Sequence, residues 1–486
     1  MDASKVVAID YTATSTQSFT YGGNRGPRCA GFPPFTSAHP LDDGADTSSG
    51  LHSIGAQLIR THDTDALDWN LAYPHPSFDA NTSDPASYNF SAGDRYMRRI
   101  LGGGFGPYLR LGAGYFIAGG GVPRAGLPYN RTALVDVLLH IVMHYNDGWG
   151  GGPFRNRSVR YVEIWNEPDS SCQWSTAAGC GKFWNRSAAD FYDLFDATAR
   201  ALKRHDPSLL VGGPGCALPY APWARPAPNP FSFGLIDEVA KRRTPLDFFS
   251  WHFYTDQAGL MTTIAAAVRA KLEGAGLSGV EQHVSEWNIC ALCKEQDTAE
   301  GAAATAHILM RMMAAKVGAA TFYPTCAGGE GQTGTGWGLF DQETRPGLAL
   351  WRKQTHAHAA FGEALGSAPA STRQPRPLLL VAARPAEEGF GGMATKAAAD
   401  AGSLRVLLAS QRSNYSAVKV VIANIATHGS TTWRWTVSVI NATSSNATLA
   451  SGEAVVPQGG LLEVRFSLPP PAVALLRAER VDCKVR

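Results

Sequence analysis

The chain contains 486 residues, 44% of them hydrophobic, and its 43 basic and 41 acidic residues leave a net charge of +2. This length and composition predict a globular protein with one large domain and a smaller one. A charge so near zero creates no field that favours nucleic acid or an anionic membrane, and no apolar run reaches the roughly 18 residues of a membrane helix. We therefore expect a small or neutral partner, neither nucleic acid nor membrane, and make no prediction of the oligomeric state.

In chain order, the first predicted element is a strand in VVAIDYTATS, within residues 1–19. From about residue 50 to residue 355, short apolar runs alternate with helix-like segments. Seven of these runs are typical of buried strands: AQLIRTHDT, GPYLRLGAG, VRYVEIWNEPD, LLVGGPGCA, LDFFSWHFYT, EQHVSEWNI and AATFYPTC. One further strand near residues 20–35 makes eight. Residues 20–355 are therefore predicted to form a (β/α)8 barrel, an α/β fold known as the TIM barrel.

The pattern of apolar and polar residues changes in the last part of the chain, residues 356–486. Four runs alternate apolar and polar residues and are separated by Ser, Asn, Gly and Pro: SLRVLLASQ, AVKVVIANI, TTWRWTVSVI and LLEVRFSL. This pattern predicts an antiparallel β-sandwich, which we expect the strand of residues 1–19 to join.

Two glutamates lie in the run YVEIWNEPD at residues 161–169. Residues 161–165 favour a strand, and Pro168 cannot donate a ladder hydrogen bond, so the strand should end near Glu167. The carboxyl ends of barrel strands carry the chemistry of such folds. We therefore interpret Glu167 as a reactive residue, and Glu163, one layer deeper on the same face, as a structural partner of Arg60 or Arg110.

A second strand end, HVSEWNIC, places Glu286 at the close of an apolar run. Glu286 follows Glu167 by 119 residues, which fits three βα units of about 40 residues and so strands four and seven of one barrel. Paired carboxylates at one barrel mouth, with Trp, Tyr, His and Asn around them, suit hydrolysis of a glycosidic bond. No cluster in the sequence calls for a metal, and we expect no cofactor.

The motifs W-N-E-P at 165–168 and S-E-W-N at 285–288 resemble those of the clan A retaining glycosidases. The most similar family is glycoside hydrolase family 39, which includes β-xylosidases and α-L-iduronidases. Other segments extend the resemblance over most of the chain: RTHDTD, GGP at 212–214, DFFSWHFY, WGLFDQETRPGLALW and LPPPAVALLRAE. The resemblance implies the same barrel and sandwich, and hydrolysis of glycosides by double displacement.

The resemblance also implies roles for individual residues. Glu167 corresponds to the acid/base, Glu286 to the nucleophile, and Asn166 to the amide that binds the sugar's 2-hydroxyl. Four further positions match residues that line the sugar site or orient the nucleophile: Arg60, His62, His252 and Tyr254. Trp287 is a candidate sugar contact, although for both it and Trp165 packing remains an equal alternative.

The sequence departs from the family after the eighth strand, where it reads TFYPTCAGGEGQTGTGWG. Glu330 and Trp337 are the candidates to replace the family's sugar-binding glutamate and tryptophan there. The S-E-W-N segment is closer to the β-glycosidase branch, and no uronate-binding cluster is visible, so we expect a β-xylosidase-like exo-glycosidase. The alternatives are a β-glucosidase, β-galactosidase, arabinoside-cleaving or α-L-iduronidase-like enzyme, or a non-catalytic sugar-binding barrel.

Eight of the 15 asparagines begin N-x-[ST] sequons, where chance would give about two: Asn81, Asn89, Asn130, Asn156, Asn185, Asn414, Asn441 and Asn446. This excess predicts a glycoprotein that is secreted, lysosomal or vacuolar. The segment MDASKVVAIDYTATS lacks a signal-type apolar stretch, so we expect that a signal peptide has been removed. The eight cysteines then favour disulfides over zinc, with Cys172 and Cys180, and Cys290 and Cys293, as neighbouring pairs whose connectivity stays open.

Overall fold

The structure is a computed structural model, and it describes these residues: 3–12, 14–17, 19–29, 45–62, 66–112, 130–155, 158–170, 183–184, 186–222, 226–290, 295–325, 338–342, 349–366, 378–381, 389–396, 402–425 and 429–481. No helix within these ranges is both long and apolar enough to cross a membrane.

The described strands are, in chain order, β1 (Ala3–Asp10), β2 (Thr14–Gln17), β3 (Thr20–Asn24), β4 (Arg28–Cys29), β5 (Ala45–Asp46), β6 (Leu58–Arg60), β7 (Gly106–Leu111), β8 (Tyr161–Ile164), β9 (Leu210–Cys216), β10 (Tyr220–Ala221), β11 (Ala227–Pro228), β12 (Phe248–Tyr254), β13 (Glu281–Asn288), β14 (Ala319–Phe322), β15 (Phe340–Gln342), β16 (Ala349–Trp351), β17 (Leu378–Val381), β18 (Phe390–Lys396), β19 (Ser403–Ser410), β20 (Tyr415–Ala423), β21 (Thr431–Ile440), β22 (Ser445–Val456), β23 (Leu462–Ser467) and β24 (Ala472–Val481).

The described α-helices are α1 (Ser48–Ser53), α2 (Trp69–Ala72), α3 (Ser91–Gly102), α4 (Arg131–Asp147), α5 (Ala188–His205), α6 (Pro230–Arg242), α7 (Ala258–Gly274), α8 (Ala299–Ala314) and α9 (Lys353–Ala364). Short 3-10 turns occur at Pro85–Ser87, Trp149–Gly151 and Glu295–Asp297.

Eight parallel strands close into a barrel, which confirms the predicted (β/α)8 architecture. Their order around the barrel is β3, β6, β7, β8, β9, β12, β13 and β14, and β14 pairs again with β3. The first strand, which the sequence placed only loosely, is β3. Because the strands are covered by helices on the outside and packed side chains on the inside, they read as continuous apolar runs rather than as alternating ones.

Helix ends follow local capping chemistry. The side chain of Asn130 accepts a hydrogen bond from the backbone N–H of Ala133 at the start of α4, and Gly148 ends this helix in a left-handed conformation. Asn229 caps α6 in the same way and Pro230 occupies the first helical position, where its missing N–H costs nothing. These signals set where the barrel helices begin, and so the lengths of the loops at the mouth.

Ten of the remaining strands form a β-sandwich of two sheets, as predicted. One sheet has the order β1-β20-β23 and the other β2-β17-β18-β19-β24-β21-β22. Apolar side chains from both sheets fill the space between them, among them Val420, Val406 and Trp433. The pairing is antiparallel throughout the larger sheet, but β1 runs parallel to β20, so the N-terminal strand is an exception to the antiparallel pattern.

Helix α8 connects the two regions. It is buried on almost its whole circumference because one side packs on the barrel and the other meets β18 of the sandwich. A side chain at Gly391 would place its Cβ 2.6 Å from the ring of His307. Glycine at this position therefore allows the sandwich to lie directly against the helix.

The sequon asparagines that the structure describes lie where an attached glycan would be accommodated. Asn441 is half-buried and the others are exposed: Asn81, Asn89, Asn130, Asn414 and Asn446. Asn156 and Asn185 lie outside the described residues, as do Cys172, Cys180 and Cys293, so glycosylation and the neighbouring disulfides remain predictions. Cys216, on β9, is a buried free thiol.

Candidate active site

The turn that follows the fourth barrel strand, β8, carries Glu167. The backbone N–H of Trp165 donates to the carbonyl of Leu111, and that of Glu167 donates to the carbonyl of Gly215, each at 2.9 Å. Trp165 and Glu167 both adopt positive φ, at 84° and 43°. Non-glycine residues held in this region store strain, a feature that is concentrated at functional sites. Neighbouring strands three and five thus hold the turn in a conformation it would not adopt alone.

Asp169 anchors the other end of this turn. Its buried carboxylate accepts hydrogen bonds from the Ala217 N–H at 2.8 Å, the Asn229 side chain at 3.0 Å and the Ser232 hydroxyl at 3.0 Å. Burial raises the pKa of Asp169 to about 6, in opposition to these donors, which favour the ionised form. The carboxylate ties the Glu167 turn to the fifth strand's end and to the start of α6.

Glu286, on the seventh barrel strand β13, is 6% exposed and surrounded by donors. The Tyr254 hydroxyl donates to one of its oxygens, and Arg60 Nη1 donates to the other at 3.2 Å. The Nε2 atom of His62 lies 3.6 Å from that second oxygen. Burial raises the pKa of Glu286, and the nearby Glu167 adds to this, whereas His252, Arg60 and the Tyr254 hydroxyl act in the opposite direction.

Arg60, on β6, is the hub of the buried charge network. Its Nε donates to Glu163 at 2.7 Å, Nη1 to Asn24 Oδ1 at 2.9 Å and Nη2 to Asn166 Oδ1 at 2.7 Å. Burial raises the pKa of Glu163, but the Arg60 charge and smaller contributions, including that of His252, together hold that pKa below its usual value. Glu163 is therefore an ionised partner of Arg60 at neutral pH, in the structural role predicted for it.

His252, on β12, lies between the two candidate catalytic carboxylates. Its Nδ1 is 2.9 Å from Glu167 Oε1 and 3.7 Å from Glu286 Oε2. Burial lowers the pKa of His252 to about 4, so the ring is neutral above that pH. One oxygen of Glu167, one of Glu286 and one ring nitrogen of His252 all lie within 4.8 Å of one another. The three groups can therefore share protons across a single small space.

The same three side chains form the one group, within the described part of the chain, whose geometry could hold a metal ion. However, both oxygens of Glu286 already accept hydrogen bonds, from Tyr254 and Arg60. A divalent cation would have to displace these donors and lie close to the buried Arg60 guanidinium, which repels it. The donor set fits a pair of carboxylates engaged in proton and group transfer better than a metal centre.

Seven of the predicted site residues surround this pair or form it, but Trp287 does not. Its ring is fully buried and packs against Phe322 and His358, at ring separations of 5.2 and 5.6 Å. The structure therefore favours the packing alternative for Trp287, because adjacent side chains on a strand point to opposite faces and Glu286 occupies the inner one. Trp165 also packs, with its indole N–H donating to the Phe183 carbonyl at 3.1 Å.

The candidates at the eighth strand, Glu330 and Trp337, lie outside the described residues. Conversely, three residues that the sequence did not single out support the site. Asn24 bonds Arg60, and Asp169 anchors the Glu167 turn. A Cβ on Gly215 would lie only 3.0 Å from His252 Nε2 and 3.2 Å from Arg60 Nη2. The run of glycines at the end of strand five was the available signal for such a close approach.

The Asp169→Asn variant should lower kcat by about 10 to 100 times while changing KM much less, since misplacement of a catalytic group impairs reaction more than binding. An amide at this position presents an N–H where Asn229 and Ser232 now donate. Steady-state kinetics on an aryl glycoside measures the effect, with the exposed Asp84→Asn as the matched control. Equal kcat values for the two variants would contradict the anchoring role.

Comparison with known proteins agrees with this geometry. Residues 133–295, which include both glutamates, match the family model of glycosyl hydrolases family 39. A beta-xylosidase from Geobacillus stearothermophilus is 27% identical over 220 residues. That alignment covers 42% of this chain and 38% of the relative, so the chain matches well under half of the curated relative's length.

Solved structures resemble the chain over its whole length. A glucosidase from Croceicoccus marinus has a TM-score of 0.74 at 24% identity, covering 99% of this chain and 100% of the other. A monomeric beta-xylosidase from Caulobacter crescentus has a TM-score of 0.67 at 15% identity, with the same coverage. These identities establish the fold rather than a substrate. Taken with the matched segment, they show that residues 133–295 resemble glycosyl hydrolases family 39 and that the chain shares its fold with these solved structures.

Proposed function

We propose that the protein is a retaining glycoside hydrolase in which Glu286 is the nucleophile and Glu167 the acid/base. The observation that carries this proposal is the approach of one oxygen of each carboxylate to within 4.8 Å. Retaining enzymes hold their carboxyl groups about 5 to 5.5 Å apart, whereas inverting enzymes leave about 6.5 to 9.5 Å for a water molecule. The short separation supports direct attack by Glu286 on the sugar.

The surroundings of the two glutamates suit different roles. Glu286 faces Arg60 and the Tyr254 hydroxyl, which stabilise its negative charge before attack. Glu167 is more exposed and contacts neutral His252, so it can receive or release a proton at the glycosidic oxygen. When Glu286 attacks the anomeric carbon, Glu167 protonates the leaving oxygen. After departure of the leaving group, Glu167 removes a proton from the incoming water, which releases the sugar from Glu286.

Asn166 is available to bind the sugar's 2-hydroxyl. Its Oδ1 accepts from Arg60 at 2.7 Å, and this bond fixes which end of the amide faces the charge network. Its Nδ2 is buried and has no hydrogen-bond partner among the described residues. A buried unpaired donor costs free energy that a substrate hydroxyl would recover. The arrangement supports a hydrogen bond made with the substrate and strengthened in the transition state.

The favoured substrate is a neutral β-glycoside, and a β-xyloside is the first candidate within this class. The 27% identical relative is named a beta-xylosidase, which supports xylose, and the glucosidase title of a structural neighbour makes glucose the second candidate. Among the described residues, Arg60 and Arg110 near the site are already paired with Glu163 and Asp68. Both positive charges are therefore already paired with a carboxylate, which disfavours an iduronidase-like activity. The carboxylate pair itself disfavours a sugar-binding protein without catalysis.

A panel of nitrophenyl glycosides of xylose, glucose, galactose, arabinose and iduronate tests the substrate class. We expect the highest kcat/KM for the β-xyloside, and NMR of the first product should show the β-anomer before mutarotation. Release of the α-anomer first would contradict the retaining mechanism. A uniform lack of hydrolysis across the panel would favour the binding protein.

The pH dependence of kcat/KM should report the ionisation of Glu286. Because its pKa is raised and it must be ionised to attack, the acid limb of kcat/KM should lie above the ordinary glutamate value of about 4.5. Tyr254→Phe removes a donor that stabilises the carboxylate, so its acid limb should move to higher pH. Tyr192→Phe, which removes a hydroxyl on the outer helix α5, is the control and should not move it. A Tyr254→Phe limb at unchanged or lower pH would contradict the contact's role.

We further propose that the protein is a glycoprotein of the secretory route, either secreted or held in a lysosome or vacuole. The exposed or half-buried positions of the six described sequon asparagines support this. Treatment of the native protein with an N-glycosidase should lower its mass. An unchanged mass would make the sequon excess coincidental.

A further inference from the structure

A second concave surface lies between the barrel and the sandwich, and it shares none of its described lining residues with the candidate active site. This groove has a volume of about 690 Å³ and is bounded by α1, α9 and residues of β22 and β24. Its volume falls within the range of small-molecule sites, roughly 300 to 1,000 Å³. The groove is open on one side, so a ligand attached at its rim can enter it.

The lining combines an aromatic face with fixed polar groups. Trp351 is 37% exposed, more than any other Trp, Tyr or Phe side chain among the described residues. The carboxylate of Glu363 is held nearby by Arg477, whose Nη2 donates to it at 2.7 Å. An indole face suits the C–H face of a pyranose ring, and a fixed ion pair at the side can bond its hydroxyls.

Asn446 lies at the rim of this groove because of a β-bulge. Between β21 and β22, Val439 pairs with Ala447 and Ile440 pairs with Ser445, so Asn446 is an extra residue without a partner. Its φ of 123° departs from the extended conformation of the strand. A bulge changes the direction of a side chain, and here the Asn446 side chain lines the groove. Asn446 is exposed and begins the sequon N-A-T.

We propose that Asn446 carries an N-linked glycan whose first N-acetylglucosamine residues lie in this groove and stack on Trp351. In the modification, Asn446 Nδ2 loses a proton and bonds to C1 of the sugar, while the bond from C1 to a lipid pyrophosphate carrier breaks. Covalent attachment keeps the sugar near the groove at a high effective concentration, so weak stacking is sufficient. The glycan joins the barrel to the sandwich, independently of catalysis.

The protein produced in a secretory eukaryotic host tests the proposal. Glycopeptide mass spectrometry should find Asn446 occupied. Under native conditions an endoglycosidase should release the glycan at Asn446 about tenfold more slowly than the glycan at Asn81. This ratio is expected if the Asn446 glycan is bound in the groove about nine-tenths of the time. Thr448→Ala abolishes the Asn446 sequon and should lower Tm by more than the matched Ser83→Ala, which abolishes that of Asn81.

Trp351→Ala should keep the glycan but make its release as fast as at Asn81. If this variant does not fold, the release rates of the Asn446 and Asn81 glycans in the unsubstituted protein are sufficient to test the proposal. An unoccupied Asn446 overturns the proposal, as does an occupied Asn446 released as quickly as Asn81.

Discussion

The Glu286→Ala variant is expected to lose kcat on an aryl β-glycoside by about 10⁴-fold or more, because in the proposed mechanism Glu286 forms the covalent intermediate. The buried Arg60 guanidinium would then lose one of its two carboxylate partners, yet Glu163 remains bonded to it at 2.7 Å. The variant should therefore still fold. Initial rates with a nitrophenyl glycoside measure the loss, and circular dichroism checks the fold.

Glu281→Ala is the matched control, since Glu281 lies on the same strand but is exposed at its other end. We expect it to change kcat by less than about twofold, as is usual for surface substitutions away from a site. Similar kcat values for Glu286→Ala and Glu281→Ala would show that Glu286 is not the nucleophile.

The largest expected effect on stability belongs to Arg60. The Arg60→Met variant leaves Glu163 charged and unpaired in the barrel interior, where neither residue has any exposed side-chain surface. Removing one member of a buried ion pair costs about 3 to 5 kcal/mol. Urea unfolding at pH 7 should show a loss of this size.

A double variant distinguishes the lost pair from general disruption of packing. Arg60→Met combined with Glu163→Gln removes the stranded charge, so it should be more stable than Arg60→Met alone. Activity should not return, because Glu286 and Asn166 still lack their Arg60 contacts. A double variant that is less stable than both single variants would contradict the charge argument.

The barrel was predictable because its strands are short apolar runs of buried parallel sheet, and each run also marked where its strand ends. Glu167 and Glu286 were located in this way, although β8 already ends at Ile164 and Glu286 lies two residues before the end of β13. The two carboxylates then had to meet at one mouth, because all eight strands are parallel. The local sequence thus contained enough information to bring together residues 119 positions apart.

The supporting contacts were not predictable in the same way. Asn24 reaches Arg60 across 36 positions, and Asp169 reaches Ala217 across 48. Such contacts depend on the register of neighbouring strands, which periodicity does not specify. The alternation of side chains along a strand could have predicted the orientation of Trp287, however, because a residue adjacent to an inward-facing Glu286 must face outward. The resemblance concerned the S-E-W-N motif as a whole and did not distinguish the inward-facing Glu286 from the neighbouring Trp287.

The most direct test of the central claim, that Glu286 attacks and Glu167 transfers protons, is the stereochemistry of azide products. With a β-glycoside carrying a good leaving group, Glu167→Ala should form the covalent intermediate but turn it over slowly, and azide should give the β-glycosyl azide. Azide in the space left by Glu286→Ala should instead attack directly and give the α-glycosyl azide. NMR of the two products reads the result. Reversed configurations, or near-normal hydrolysis by both variants without azide, would contradict the assignment of these two residues.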